Sequence, residues 1–332
     1  MILIAALGMA LPMALINSYH GVLGAGSCAI FIFDCSGMTR PDSGKTGEGA
    51  GTNGGMVNRK GCLMMNELYL IPDFDQIENS LRLSRLYGAH FEYNDFFNPS
   101  LLDDEKWVKK RIDFYKKLDR DRTRDMLHGA FLDVTVHSED KRIRDVSAFR
   151  IRQSMDIAAE LGIRGVVFHT NQIPNFRTPG YIQHWIDSNR DFWMMLLGEY
   201  PALEIVIENM FDEEPDMLWR LAMEMQEQER FGICFDYAHA SAFGQNIGEW
   251  ADKLLPFTKH IHINDNDLKV DMHLGIGKGA IDWLQFNRLI EKSRTECSVL
   301  IEVNGLQKQE ESLQYMKEYG IYPFLTERPE EV

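Results

Sequence analysis

The chain has no CxxC pair. Its five cysteines, Cys28, Cys35, Cys62, Cys234 and Cys297, are odd in number and scattered, which argues against a disulfide framework or a cysteine zinc site and fits a reducing cytoplasm. Positive charge is scarce as well: 35 Lys and Arg stand against 50 Asp and Glu, a formal net charge of −15. Such a field repels nucleic acid and anionic membrane wherever no basic patch or bound cation reverses it. Met1 to Gly37 holds two apolar stretches, MILIAALGMALPMALI and one ending AIFIF, but neither lysine nor arginine. A secretory leader needs a positive start and a spanning helix needs about 20 unbroken apolar residues, so both readings are weak. Also missing is the glycine-rich turn after the first strand of an open doubly wound sheet, because Leu70-Ile71-Pro72 runs into Asp73-Phe74-Asp75.

What is present is an ordinary globular composition, 45% hydrophobic and 26% charged over 332 residues, enough for a sizeable core. Residues 38–61 are rich in Gly, Ser and Thr and lack apolar periodicity, as a flexible linker does. Residues 1–63 are therefore expected to be a poorly ordered appendage, and residues 64–332 one domain. From Asn66 onward, short apolar runs alternate with stretches of helical spacing, the βαβα pattern of a parallel sheet. The expected strands are Glu67–Pro72, Ala89–Asn94, Met126–Leu132, Ile163–Thr170, Leu203–Asn209, Gly232–Tyr237, Lys259–Asn264 and Cys297–Val303. Eight strands close a barrel, so the fold class is α/β, a (β/α)8 TIM barrel. Phe74–Tyr87, Asp140–Leu161 and Glu213–Glu229 read as covering helices, with Gly162, Gly232 and Gly320 as stop signals.

The residues that end the strands carry the chemistry. VVFHT offers His169, IVIEN Glu208, ICFDYAH Asp236 and His239, HIHIND His262, VLIEV Glu302 and MLHGAFL His128. A lone histidine there is usually a satisfied structural group. Six strands ending in metal-ligand types is different, because a parallel barrel gathers its strand ends at one mouth. Carboxylates crowded there repel one another unless a cation neutralises them. In the loop after His262, Asp271 and His273 stand two apart and can face one ion. Gly275, Gly277 and Gly279 lack the strand and helix context of a phosphate loop and read as turns that let backbone approach the site.

Taken together, IENM, CFDYAH, HINDND, DMHLGIGKGAIDW and IEV, in this order, resemble the xylose isomerase-like TIM barrels. That superfamily joins sugar and sugar-phosphate isomerases and epimerases to the endonuclease IV-like nucleases of AP endonuclease family 2. The resemblance covers roughly Asn66 to the C-terminus. For the epimerase branch it implies one metal on Glu208, Asp236, His262 and Glu302. For the nuclease branch it implies three zinc ions: His128, His169 and Glu208 for the first, Glu208 with Asp236, His262 and Glu302 for the second, and His239, Asp271 and His273 for the third.

Two features set the expected ranking. The stretch Phe91-Glu92-Tyr93-Asn94-Asp95-Phe96-Phe97 is acidic and aromatic where the nucleases place a DNA-contacting arginine, and LYLIPDF lacks their early histidine. The basic runs Lys106-Lys109-Lys110-Arg111 and Arg120-Arg122-Arg124 read as solvated faces, and Phe131-Leu132, spaced like the nucleases' wedge, reads first as core. The expectation is therefore a metal-dependent sugar or sugar-phosphate isomerase or epimerase, an enzyme of carbohydrate metabolism. Its metal stabilises an enediolate, with Glu208 and Glu302 moving the proton and His239 steadying a hydroxyl. Tyr93, Asn94, Phe96, Trp185 and Trp193 are candidate pocket residues, and Asn171 and Arg177 candidates for further hydroxyls or a phosphate. The alternative is endonuclease IV-like trinuclear zinc hydrolysis of phosphodiesters. A lyase acting on an oxidised sugar would use the same enolising chemistry. Mixed nitrogen and oxygen donors suit one to three ions of Mn, Zn, Co or Fe. The expected partner is a small sugar; nucleic acid and membrane are disfavoured, and a homo-oligomer is left open.

A chain that begins at Met64 should fold with the helical content and melting temperature of the full chain's barrel, as measured by circular dichroism. An unfolded product would refute the domain boundary.

Overall fold

The eight apolar runs form eight parallel strands: β1 Leu68–Leu70, β2 His90–Tyr93, β3 Met126–His128, β4 Gly165–His169, β5 Glu204–Glu208, β6 Phe231–Asp236, β7 Thr258–Ile263 and β8 Ser298–Ile301. They come from a computed structural model that describes residues 67–325. The expected appendage 1–63, its linker, the boundary at Met64 and Cys28, Cys35 and Cys62 lie outside the described residues. Each strand pairs with the next, and β8 returns to β1 through Leu68 with Val299 and Leu70 with Ile301, which closes the barrel. Among the described residues, no helix is long and apolar enough to cross a membrane.

The helices are α1 Ile77–Tyr87, α2 Pro99–Leu102, α3 Glu105–Lys116, α4 Lys141–Leu161, α5 Pro179–Glu199, α6 Asp216–Glu224, α7 Tyr237–Phe243, α8 Ile247–Leu254, α9 Trp283–Ser293 and α10 Leu306–Tyr319. In α4, Ile151, Met155, Ala158 and Leu161 recur every three or four residues and are buried, so one stripe faces the sheet. Asp140 caps its start by accepting from Arg142 N–H, and Gly162 ends it at a φ of 69°, a conformation that costs glycine little. Gly320 ends α10 in the same way. Gly232 does not stop a helix: α6 ends at Glu224, and Gly232 lies inside β6. The stop that the sequence reading missed is Gly88, after α1.

Strand alternation divides the core. Outward side chains pack under the helices, while Tyr69, Ile71, Met126, Val167, Val206, Cys234 and Leu300 form a separate apolar plug inside the barrel. The basic runs are only partly solvated. Lys106, Lys109 and Lys110 are exposed, but Arg111 lies 3.4 Å above the Phe74 ring and 3.2 Å from Asp95. Arg120 lies 3.6 Å above Phe91 and 2.6 Å from buried Asp125. These arginines are held by cation–π and ion-pair contacts.

The loop after β7 is organised by Asp265, which is fully buried. Its carboxylate accepts from Gly277 N–H at 2.9 Å, Ile281 N–H at 3.2 Å, Trp283 Nε1–H at 3.1 Å and Asn266 N–H at 3.0 Å. Its backbone exchanges two hydrogen bonds with Leu274, which fixes the neighbouring Asp271 and His273. The glycines of this loop make close approaches, but to Asp265, Asn266 and Tyr315 rather than to the strand-end cluster. Gly277 adopts a φ of 81° against the Tyr315 ring, and a Cβ on Gly279 would collide with Asp265.

Replacing Asp265 by Ala leaves several buried N–H donors without an acceptor, so Asp265→Ala should cost about 3 kcal/mol. Urea denaturation measures it, and a loss below about 1 kcal/mol would show that water replaces the carboxylate.

Candidate metal centre

Parallel register places the last inward-facing residue of successive strands at one level. His169 is paired with Glu208 across β4 and β5, and Asp236 with His262 across β6 and β7. Their side chains meet over the apolar plug, joined by His128 from β3 and Glu302 just beyond β8. Five donor groups result, with donor atoms within 4.8 Å of one another in each: His128, His169 and Glu208; Glu208, Asp236, His262 and Glu302; His239, Asp271 and His273; and two deeper sets, Glu92 with His260 and His262, and Glu208 with Cys234 and His262. In the first, His128 Nε2 and His169 Nε2 are 3.1 Å apart, and 3.7 and 3.2 Å from Glu208 Oε2. In the second, His262 Nδ1 is 3.2 Å from Glu208 Oε2 and 3.6 Å from Glu302 Oε2. In the third, Asp271 Oδ2 lies 3.4 Å from His239 Nε2 and 2.9 Å from His273 Nε2.

Local structure orients these donors. Asp236 caps α7: its Oδ1 accepts from His239 N–H at 2.6 Å, which leaves Oδ2 turned to the cluster and sets His239 one turn away. Asn209 clamps Asp236 from both sides, donating to its carbonyl at 2.8 Å and accepting from its N–H at 2.9 Å. Three histidines donate Nδ1–H to backbone carbonyls: His128 to Gly129 at 3.1 Å, His239 to Asn209 at 2.9 Å and His273 to Glu302 at 2.9 Å. Those contacts leave Nε2 of each turned to the cluster, as the nitrogen that would give up its proton to ligate an ion.

The electrostatics are those of a site that wants cations. Burial pushes Glu208 up, but the charges of His262 and His169 more than offset it and hold its carboxyl well below the usual range. Burial, and then the charge on Glu208, push Asp236 up and raise Glu302 to about 8. Burial, reinforced by His169, lowers His128 to about 4, so this imidazole is neutral and ligand-ready. Burial opposes the charge on His273, yet its contacts with Asp271 and Glu302 raise it to about 10. His239 and His262 are raised against burial by neighbouring acidic groups, Asp236 first for His239 and the Cys234 thiol first for His262. Both oxygens of Glu208, Asp236 Oδ2, His262 Nδ1, Glu302 Oε2 and Asp271 Oδ1 are buried without a hydrogen-bond partner. Native proteins rarely leave such atoms unmet, and mixed imidazole and carboxylate donors suit divalent metal.

The pocket aromatics expected from sequence are not at this mouth. Tyr93 faces outward, where its hydroxyl donates to Asp125 at 2.7 Å, because alternation gives the barrel interior to Glu92. Phe96 packs on Trp107 and Tyr115. Trp185 is buried with Nε1–H donating to Thr170 O at 3.2 Å, and Trp193 stacks on Phe168. All four belong to the helical layer. Asn94 is half-buried just past β2. Asn171 sits in the loop after β4 with a φ of 47°. Arg177, in the same loop, lies 4.0 Å from both Glu213 and Glu214.

Phe131 and Leu132 are not core. Phe131 stacks on His169 with centroids 4.5 Å apart and on Phe97 at 5.3 Å, and Leu132 is 42% exposed. The acidic stretch after β2 is not a repelling wall either. Glu92 is buried beneath His262, and Asp95 is bound by Arg111 and the Tyr115 hydroxyl. Sequence reasoning missed Glu92, Asn209 and Asp265. Period-two alternation through His90-Phe91-Glu92-Tyr93 could have exposed the first; nothing local marks the other two.

Comparison with known proteins matches residues 86–319 to a family described as xylose isomerase-like TIM barrel. The protein MJ1311 of Methanocaldococcus jannaschii is 27% identical over 222 residues, which are 63% of this chain and 75% of that protein. A probable endonuclease 4 of Geobacter sp. strain M21 is 26% identical over 183 residues, covering 47% of this chain and 62% of that one. The crystal structure of a D-tagatose 3-epimerase-like protein superposes with a TM-score of 0.60 at 22% identity, over 76% of this chain and 96% of that one.

Proton uptake by this centre gives stability a defined pH dependence. Glu302 titrates near 8 when folded against an ordinary 4.5, so its destabilising contribution grows from pH 4.5 and is complete above 8. His273 titrates near 10 against 6.5; its stabilising contribution is complete below 6.5 and lost as pH rises through 10. Both act in the same direction, so chelator-treated protein should melt lower at about pH 9 than at about pH 7. Zinc-loaded protein should show a much smaller difference. Equal slopes with and without zinc would refute the assignment of these groups to a metal centre.

Proposed function

The chain belongs to the xylose isomerase-like TIM barrel family, and from that premise we propose that it is a metal-dependent phosphodiesterase with a three-ion centre. One observation carries this reading: the nine donors expected from the sequence fall into three of the five donor groups, and Glu208 is shared by two of those three. A single-ion enzyme needs only Glu208, Asp236, His262 and Glu302, and leaves the arrangement of His128, His169, Asp271 and His273 unexplained. Divalent ions held there would polarise a phosphoryl oxygen and provide hydroxide at neutral pH.

The chain's own residues do the rest. Glu208 ties the first two groups together through one carboxylate, and Asp236 and Glu302 complete the second. His239, Asp271 and His273 hold the outer position, where solvent and substrate enter. Phe131, stacked on His169, offers an aromatic face beside the cluster with exposed Leu132 next to it, a surface on which an unstacked base or a sugar can rest. Arg177 is shared with two glutamates and is not reserved for phosphate. Grip on the substrate therefore falls mainly to the centre itself, and the net charge of −15 favours a short or locally opened substrate over a long duplex track.

A second reading, a sugar isomerase or epimerase, rests on the central group alone. It is complete with four ligands, and Glu208 and Glu302 both belong to it. In that chemistry their spare oxygens would take and return a proton at a sugar carbon, with His239 holding a hydroxyl and Asn94 and Asn171 as candidate contacts.

Protein purified without chelator should contain about three zinc ions per chain. His128→Ala and His273→Ala should each lose one ion, and with it cleavage of abasic-site DNA on the order of 100-fold. About one ion per chain, insensitive to either substitution, together with turnover of a ketose, would replace this reading with the second.

A further inference from the structure

His262 is held differently from His128, His239 and His273. Nδ1 of His128, His239 and His273 faces a backbone carbonyl. For His262 it is Nδ1 that turns to Glu208 and Glu302, while Nε2 points down into the barrel. There it lies 3.3 Å from Oε1 of Glu92, and among the described residues both atoms are buried without a hydrogen-bond partner, so each is the only polar group the other faces at that distance inside the barrel. Glu92 is itself anchored, because Oε2 is 3.0 Å from His260 Nε2, whose Nδ1 is 2.6 Å from the Ser298 hydroxyl. Glu92 and His260 are both buried. The Cys234 thiol is another neighbour of the His262 ring, but only a weak acceptor.

We propose that Glu92 is the positioning residue of the central donor group. Its carboxylate accepts the Nε2–H of His262 and thereby fixes the ring with Nδ1 toward Glu208, Asp236 and Glu302. The carboxylate is suited to this by its anchorage. His260 Nε2 is 3.0 Å from Oε2, so Oε1 is the oxygen left for His262. Ser298, His260, Glu92 and His262 thus form a buried chain from β8 through β7 and β2 back to β7. A carboxylate behind a ligating imidazole also raises its basicity, which a carbonyl does less strongly. The inference rests on His262 being a metal ligand, as in either reading above.

The test measures zinc affinity of the full chain by competition with a chelator, for the native protein, Glu92→Gln and His262→Ala. Glu92→Gln should keep the native circular dichroism spectrum and weaken one zinc ion by about 10- to 100-fold, while His262→Ala should lose that ion. Native affinity in Glu92→Gln, with the ion lost in His262→Ala, would overturn the role of Glu92 and leave the metal centre standing. Full zinc retention by His262→Ala would overturn the metal assignment itself. If Glu92→Gln does not fold, histidine ring 15N resonances of the native zinc-loaded protein decide: zinc on Nδ1 with Nε2 protonated is expected for His262. Zinc on Nε2 would refute the proposal.

Discussion

Buried carboxylates of like charge cannot share a small volume unless something positive stands among them. Glu208, Asp236 and Glu302 are buried side by side at the mouth of this barrel. Glu208 is the pivot, because its oxygens face His128 and His169 on one side and His239 and His262 on the other. The proton distribution of the metal-free centre expresses that frustration: Glu302 stays protonated to about pH 8 and His273 to about pH 10. Cations in place of protons would satisfy the same atoms at once, including those left without any hydrogen-bond partner.

The barrel meets this constraint through backbone geometry. Parallel pairing brings residues far apart in the chain to one level, and a few local devices turn each donor inward. Asp236 divides its two oxygens between a helix cap and the cluster. Backbone carbonyls choose the tautomer of three of the five histidines, and a carboxylate faces the second nitrogen of His262. Asp265 rigidifies the loop that delivers Asp271 and His273. The site is precise because its supports are backbone groups and buried side chains that have little freedom to move.

Charge must also be judged locally. A net charge of −15 argues against polyanionic partners at long range, but it does not describe the mouth. Glu92 and Asp95, which in sequence form an acidic stretch, are committed to His260, His262 and Arg111. The arginines that look like a basic run are likewise engaged, with Phe74, Phe91 and Asp125. Once these are set aside, the donor cluster and the rim formed by Phe97, Phe131 and Leu132 define what the site can hold.

By itself the sequence determined the eightfold βα alternation and marked nine candidate donors, because each ends an apolar run of strand length or stands in the loop just beyond one. Period-two patterning and strand-end position are local properties, so they can be read without a structure. How those donors divide into groups was implied only by the family resemblance, and their distances belong to the tertiary structure, since they depend on barrel closure and on which carbonyl faces which imidazole nitrogen. Tertiary structure also decided the fate of the residues between the strands. Tyr93 and Trp185 turned out to be packing groups and Phe131 a rim residue, while Glu92 moved from a loop charge to a partner of His262. An aromatic or acidic side chain has the same sequence signature in the helical layer, the interior or the mouth, and only the closed sheet says which side of it that side chain occupies.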